Sequence, residues 1–348
     1  MNTDLSNTLN QINNCIDNIS TNDDVKNIIC NMSINNNLPY DRLLDINSIY
    51  KYFLQDLNDI IGLDNIKSEL IKMINYLIFI RKTKQNINVD TMNLNMVFRG
   101  NPGTGKTTVA RIISKIFSQL GLIEKDKIVE TTTTDFIAGY VGQTALKTKR
   151  LLDKARGGVV FIDEAYSFAL GSDENNSRFG PESIAEIIKE MENHKTVFIF
   201  AGYKKEMDDF INLNPGIKSR LGYDLEFEDY SVDDLLKMMI NKVKKTGLKI
   251  TVEAENEIKN IITKRKNIKN FGNGRMIDNL FDEILKEHST VNLYENDINK
   301  LLLIDKNSLK NLNDKEIRGD YFGWYNWKRC IQKTIKRKNN IYWYRNKW

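Results

Sequence analysis

The chain has 348 residues, more than one average domain, and its 41% hydrophobic and 28% charged content is ordinary for a protein with a buried core. That balance excludes a mostly disordered chain, a collagen and a disulfide-stapled miniprotein, and three scattered cysteines, Cys15, Cys30 and Cys330, read as free thiols. The net charge of +5 is local: residues 321–348 hold eight Lys/Arg and no acid, so the rest sums to −3 and carries no general nucleic-acid signature.

Met1 to Asn10 has neither a positive n-region nor an apolar run, so no signal peptide is expected. The longest apolar stretch, Met73–Ile80, is broken by Asn75 and falls far short of the roughly 20 residues that span a bilayer. A soluble, intracellular protein, cytoplasmic and without membrane partners, is the expectation. Residues 1–55 form an Asn-rich N-terminal extension, with thirteen Asn in the first fifty positions. From Ile66, apolar positions 66, 70, 73, 74, 77 and 78 follow helical spacing to about Arg81.

Short apolar runs then alternate with helical segments. Strands are expected at Asn95–Arg99, Lys127–Thr131, Gly158–Asp163, Val197–Gly202 and Asp224–Phe227, with helices near 106–119, 142–155, 182–193 and 205–212. Pro181 suits the first turn of the third of these helices. Strand–helix alternation implies a parallel sheet covered on both faces. After Phe227 the strands nearly stop. Ser231 and Asp234 form a capping-box-like start, and helices near 253–266, 273–288 and 295–304 complete a small helical domain over 230–305. The two histidines, His194 and His288, fall at expected helix ends and read as surface residues.

The strongest motif is Gly100-Asn101-Pro102-Gly103-Thr104-Gly105-Lys106-Thr107, which follows one expected strand and opens a helix. Glycines let such a loop turn its N–H groups toward phosphate oxygens, and the helix start adds its positive dipole end. Lys106 would reach the terminal phosphates, Thr108 would follow in the first turn, and the Thr107 hydroxyl would ligate Mg²⁺. A second run, Val159–Ile162, ends in Asp163-Glu164. At the carboxyl end of a parallel strand Asp163 would hold Mg²⁺, and Glu164 would orient and deprotonate the attacking water. ATP and Mg²⁺ are the expected ligands.

With both motifs in place, residues 56–305 resemble an AAA+ ATPase, and more narrowly the branch containing red-type Rubisco activase and the stage V sporulation protein K-like ATPases. The residues that carry the narrower resemblance are Gly100–Thr108, Gly139-Tyr-Val-Gly-Gln-Thr-Ala145, Phe161–Tyr166, Ala201-Gly-Tyr203 and Asn214–Arg220. The resemblance implies a P-loop NTPase α/β domain (56–229), a helical lid (230–305), and a ring, expected to be a hexamer, that pulls on a protein partner. Arg220 matches the arginine finger that reaches a neighbouring subunit's ATP. Arg275 resembles the second sensor, with an exposed helix-start arginine as the plain alternative. Tyr140, with Val141, resembles the pore loop, against a tyrosine packed in a core. Ile61-Gly62 matches the segment lining the adenine pocket and reads nearly as well as a simple turn. Gly274 departs from the helix-favouring residue usual before the sensor arginine, and Ala201-Gly202-Tyr203 leaves the polar sensor unassigned.

Residues 306–348 lie outside that core, with nine aromatics, all four Trp among them. This basic, aromatic extension could dock on an acidic protein, pack on its own lid, or stack nucleic-acid bases. The function expected is an ATP-hydrolysing motor that remodels a protein. A DNA-directed loader or helicase and a nucleotide-dependent scaffold with little turnover are the alternatives.

Overall fold

The computed structural model describes residues 50–83, 92–138, 143–169, 179–193, 195–268 and 271–312. Tyr140, Val141, His194, most of the N-terminal extension and the basic tail from 313 onward lie outside the described residues. The chain divides into two compact units: residues up to Asn241 with Ile262–Asn279, and Lys242–Ile261 with the residues from Leu280 on.

In the first unit, residues 50–58 are helical and bury Phe53 and Leu57. Helix α1 (Asp64–Thr83) follows and buries Ile66, Leu70, Met73, Ile74 and Leu77, the face expected from the apolar spacing. Five parallel strands then form one sheet: β1 (Met96–Gly100), β2 (Ile128–Thr132), β3 (Val159–Asp163), β4 (Val197–Gly202) and β5 (Tyr223–Phe227). Their order is β2-β3-β4-β1-β5. The strands sit within a residue or so of their expected positions.

Every residue of β4, and Val159–Ile162 of β3, is buried, as a sheet covered on both faces demands. Side chains alternate between the two covered faces. Val97, Val160, Ile162, Phe198 and Phe200 share one core with Phe136, Leu152, Ile187 and Phe210. Phe98 points the other way, edge-on to Phe161 and beside Phe227. The connecting helices are α2 (Lys106–Gln119), α3 (Thr133–Phe136), α4 (Thr144–Ala155), α5 (Phe179–Glu192), α6 (Lys204–Leu213) and α7 (Pro215–Lys218). Pro181 lies in the first turn of α5, where its missing N–H costs no helical bond. The one-turn helices α3 and α7 were not foreseen; four residues are too few to show a period.

Ser231 caps α8 (Val232–Lys245): its Oγ accepts the Asp234 N–H at 3.0 Å and donates to Asp234 Oδ2 at 2.6 Å. Beyond it come β6 (Lys249–Ile250), α9 (Val252–Lys266) and α10 (Gly274–Val291). Between 295 and 304 the expected single helix is replaced by a four-residue helix α11 (Ile298–Leu301) and strand β7 (Leu303–Ile304), which pairs with β6 in parallel. A short apolar run fits either state, and here the ladder to Lys249-Ile250 decides it. A 3₁₀ helix, Lys306–Leu312, then buries Leu309 and Leu312.

The second unit also corrects the reading of His288. It is buried inside α10, with Nε2 2.8 Å from the Leu301 carbonyl and Nδ1 2.9 Å from Ser308 Oγ. Among the described residues no helix is long and apolar enough to cross a membrane.

Candidate functional site

The strand order decides what can meet. The loop after β1 and the acids ending β3 emerge at the same edge, separated by β4 alone, or roughly 10 Å at the usual inter-strand spacing. Gly100–Gly105 forms this loop, and Gly105, in left-handed backbone at φ 92°, hands the chain into α2 at Lys106. Lys106 is 9% exposed and donates to the carbonyls of Gly100 (2.8 Å) and Asn101 (2.7 Å). Burial pushes its amine down from 10.5 to about 8. The Asp163 carboxylate pulls against that, the Arg275 guanidinium adds to it, and Asp229 opposes it. Lys106, Asp163 and Arg275 therefore share one electrostatic environment. Thr107 and Thr108 occupy the first turn of α2, Thr107 half-buried and Thr108 exposed.

A second set of residues backs the loop. Tyr230 donates its hydroxyl to the Thr104 carbonyl at 3.1 Å. Asn101 Nδ2 reaches both Asp229 carboxylate oxygens at 3.0 Å. Asn273, buried and at φ 50°, donates to Asp229 Oδ1 (2.7 Å) and the Pro102 carbonyl (3.3 Å) and accepts the Tyr230 N–H (3.0 Å). The Gly274 N–H bonds the Gly103 carbonyl at 3.0 Å. Gly103, at φ 73°, could not carry a Cβ, which would lie 2.2 Å from the Gly272 carbonyl oxygen. A Cβ on Gly274 would stand 3.0 Å from the Gly103 oxygen, so the departure noted before Arg275 has a packing reason. Arg275 is exposed at the start of α10.

Asp163 ends β3 half-buried. Glu164 is exposed in left-handed backbone at φ 52°, its N–H bonded to Asp163 Oδ1 at 3.1 Å. Such a conformation is uncommon for a residue with a Cβ and marks a turn that redirects the side chain. Beyond the neighbouring strand β4, Tyr203 and Tyr166 approach with ring centroids 6.0 Å apart.

Ile61 and Leu63 line a cavity of about 500 Å³ together with Gly105, Thr108, Tyr230 and Met238. Gly62 turns the chain there at φ 66°. The walls are mostly apolar, and the volume is in the range that takes a small organic ligand.

Arg220 is not brought to this cluster. It lies between α7 and β5, donating to the Gly216 carbonyl (2.8 Å) and Ser219 Oγ (3.2 Å) and pairing with Glu192 at the end of α5. Asp229, Tyr230 and Asn273 were missed by sequence reasoning. The one usable signal was Asn273 between two glycines, a pattern that suits left-handed backbone; nothing marked Tyr230. Among the described residues no group of three or more His, Cys, Asp or Glu could hold a metal ion.

Residues 96–229 match the family described as ATPase family associated with various cellular activities (AAA), and residues 231–311 match the AAA lid domain. The chain is 36% identical over 245 residues to stage V sporulation protein K of Bacillus subtilis (strain 168), covering 68% of this chain and 75% of that protein. It is 39% identical over 236 residues to the chloroplastic ribulose bisphosphate carboxylase/oxygenase activase of Cyanidioschyzon merolae, covering 66% and 79% of the two. Among solved structures, the FIGL-1 AAA domain in complex with ADP superposes with a TM-score of 0.50 over 79% of this chain and 89% of that one. At 15% identity this is a likeness of fold.

Proposed function

The chain belongs to the AAA ATPase family and hydrolyses ATP to ADP and phosphate, and from that premise we propose that it is a motor which works as a ring, a hexamer, to remodel a protein partner. The observation that carries this reading is the seating of the buried Lys106 in the loop after β1, one strand away from the acids that end β3, with Arg220 bonded instead to Gly216, Ser219 and Glu192. A finger that serves an adjoining subunit has to lie away from its own site. Relatives named for activating ribulose bisphosphate carboxylase/oxygenase support a protein as the object of the work.

In this reading the triphosphate lies on the N–H groups of Gly103–Thr107, its terminal oxygens taking Lys106 from the Gly100 and Asn101 carbonyls. The adenine enters the cavity beside Ile61, Gly62 and Leu63. The oxygen donors of Thr107 and Asp163 suit a hard divalent cation and would hold Mg²⁺, which would supply charge neutralisation for phosphoryl transfer. Glu164 takes the proton of the attacking water. Arg220 of an adjoining subunit offsets charge that grows on the transferred group, and Arg275 does so from α10. Tyr140 and Val141 grip the threaded chain through apolar area.

The test is ATP turnover by wild type and E164Q, with nucleotide affinity measured alongside. The variant should bind ATP and lose turnover, and equal rates would sink the motor. E164Q held in ATP should also retain its protein client, and Y140A should keep ATP turnover while losing work on that client.

A further inference from the structure

Four consecutive residues of the phosphate loop are held from behind by one small cluster. Asn101 gives its side-chain amide to Asp229. The Pro102 carbonyl accepts from Asn273 Nδ2, the Gly103 carbonyl from the Gly274 N–H, and the Thr104 carbonyl from the Tyr230 hydroxyl. Asn273 is the hub. Its side chain has no exposed surface, and each of its polar atoms has a partner in the loop or in Asp229-Tyr230. The backbone at φ 50° is left-handed, a conformation that asparagine adopts more readily than other residues with a Cβ.

A loop that binds an anion must aim N–H groups at it, and any carbonyl that swings inward replaces an attraction with a repulsion. Resting on the reading of this loop as the nucleotide site, we propose that Asn273 is a positioning residue. With Asp229, Gly274 and Tyr230 it pins the carbonyls of Pro102, Gly103 and Thr104 outward, so that the loop N–H groups stay aimed at the phosphates.

The cluster makes a prediction whose sign is opposite to simple electrostatics. Asp229 is an anion beside an anion-binding loop, so charge alone says that removing it should tighten nucleotide binding. As an anchor for Asn101 and Asn273, its removal should weaken binding.

The experiment titrates a fluorescent ADP analogue into full-length wild type, N273G and D229A, and measures KM and kcat for ATP. N273G keeps the left-handed backbone accessible and deletes the side chain with its carboxamide. Its Kd should rise about tenfold, with the loss carried in KM more than in kcat, the mark of lost ground-state binding. D229A, at an exposed position, should weaken binding several-fold, and the double variant should fall short of the sum because the residues act in one network. A merely structural Asn273 would lower the melting temperature and the active fraction at constant KM, and that result overturns the proposal. Tighter binding in D229A overturns it too, and D229A decides the matter if N273G does not fold. Wild type that binds no nucleotide would bring down the site itself, whereas variants that bind as well as wild type bring down this inference alone.

Discussion

The buried side-chain amide of Asn95 donates to the Arg220 carbonyl at 3.1 Å, while its oxygen accepts the Phe198 N–H at 2.9 Å. The Asn95 carbonyl also receives the N–H groups of Gly222 and Tyr223. One residue ahead of β1 thus fixes the start of β4 and the backbone that carries Arg220. N95A would leave a buried N–H and a carbonyl without partners, a loss of about 1–3 kcal/mol each at most. Urea unfolding of wild type and N95A should show a lower midpoint with an unchanged slope. No shift would mean that the neighbourhood relaxes around the gap.

Arg220 pairs with Glu192 of its own chain. To serve a neighbour it must leave that carboxylate. R220A should lower assembled ATP turnover by about a thousandfold while nucleotide affinity stays within a few fold, since a transition-state contact is lost and a ground-state one is not. R220K should remain poor because a point charge lacks the planar fork. Mixing R220A with K106A subunits should restore part of the rate, each supplying what the other lacks. A mixture as dead as its components would argue that Arg220 acts within its own subunit.

The sheet was legible because β3 and β4 are unbroken apolar runs buried on both faces, and the loop was legible because its glycines are dictated by close backbone approach. Gly103 is the plainest case, hemmed in by the Gly272 carbonyl oxygen. What was hidden depends on contacts between distant segments. Asn273 and Asp229 are 44 positions apart and Asn95 and Arg220 are 125 apart, so no local period or propensity could reveal either pair. His288 was misjudged for the same reason: its partners Leu301 and Ser308 lie 13 and 20 positions further along, in α11 and the 3₁₀ helix.

His288 offers a test within the second unit. The Leu301 contact is a carbonyl oxygen, so Nε2–H donates to it, and Nδ1 faces Ser308 Oγ and Asn292 Nδ2. H288L would fill a similar volume and take the partner from the Leu301 carbonyl, while Ser308 Oγ keeps Asp305 and Asn292 Nδ2 keeps the His288 carbonyl, at a cost of about 1–3 kcal/mol. Chemical unfolding should show the loss, and protease cleavage should rise between 298 and 312. Wild-type resistance in H288L would mean that Leu309 and Leu312 hold this segment without the imidazole.

Lys106 should make activity and stability answer pH in opposite directions. Its folded value of about 8 lies below the ordinary 10.5, chiefly through burial, with Asp163 pulling upward, Arg275 adding to the depression and Asp229 opposing it. As pH rises through 8 in the free enzyme, the amine loses the charge that meets phosphate, so kcat/KM for ATP should fall, since that quantity reports the free enzyme. Stability runs the other way. Between about 8 and 10.5 the unfolded chain holds a proton at this site that the folded chain has released, and stability therefore gains with rising pH across that window. K106M removes the titrating group from both states. It should flatten this part of the stability profile and raise stability below pH 8, where wild type must bury a charged amine. An alkaline stability slope unchanged in K106M would assign the effect to another group, and a wild-type kcat/KM level up to pH 10 would mean that phosphate contact does not need the charge.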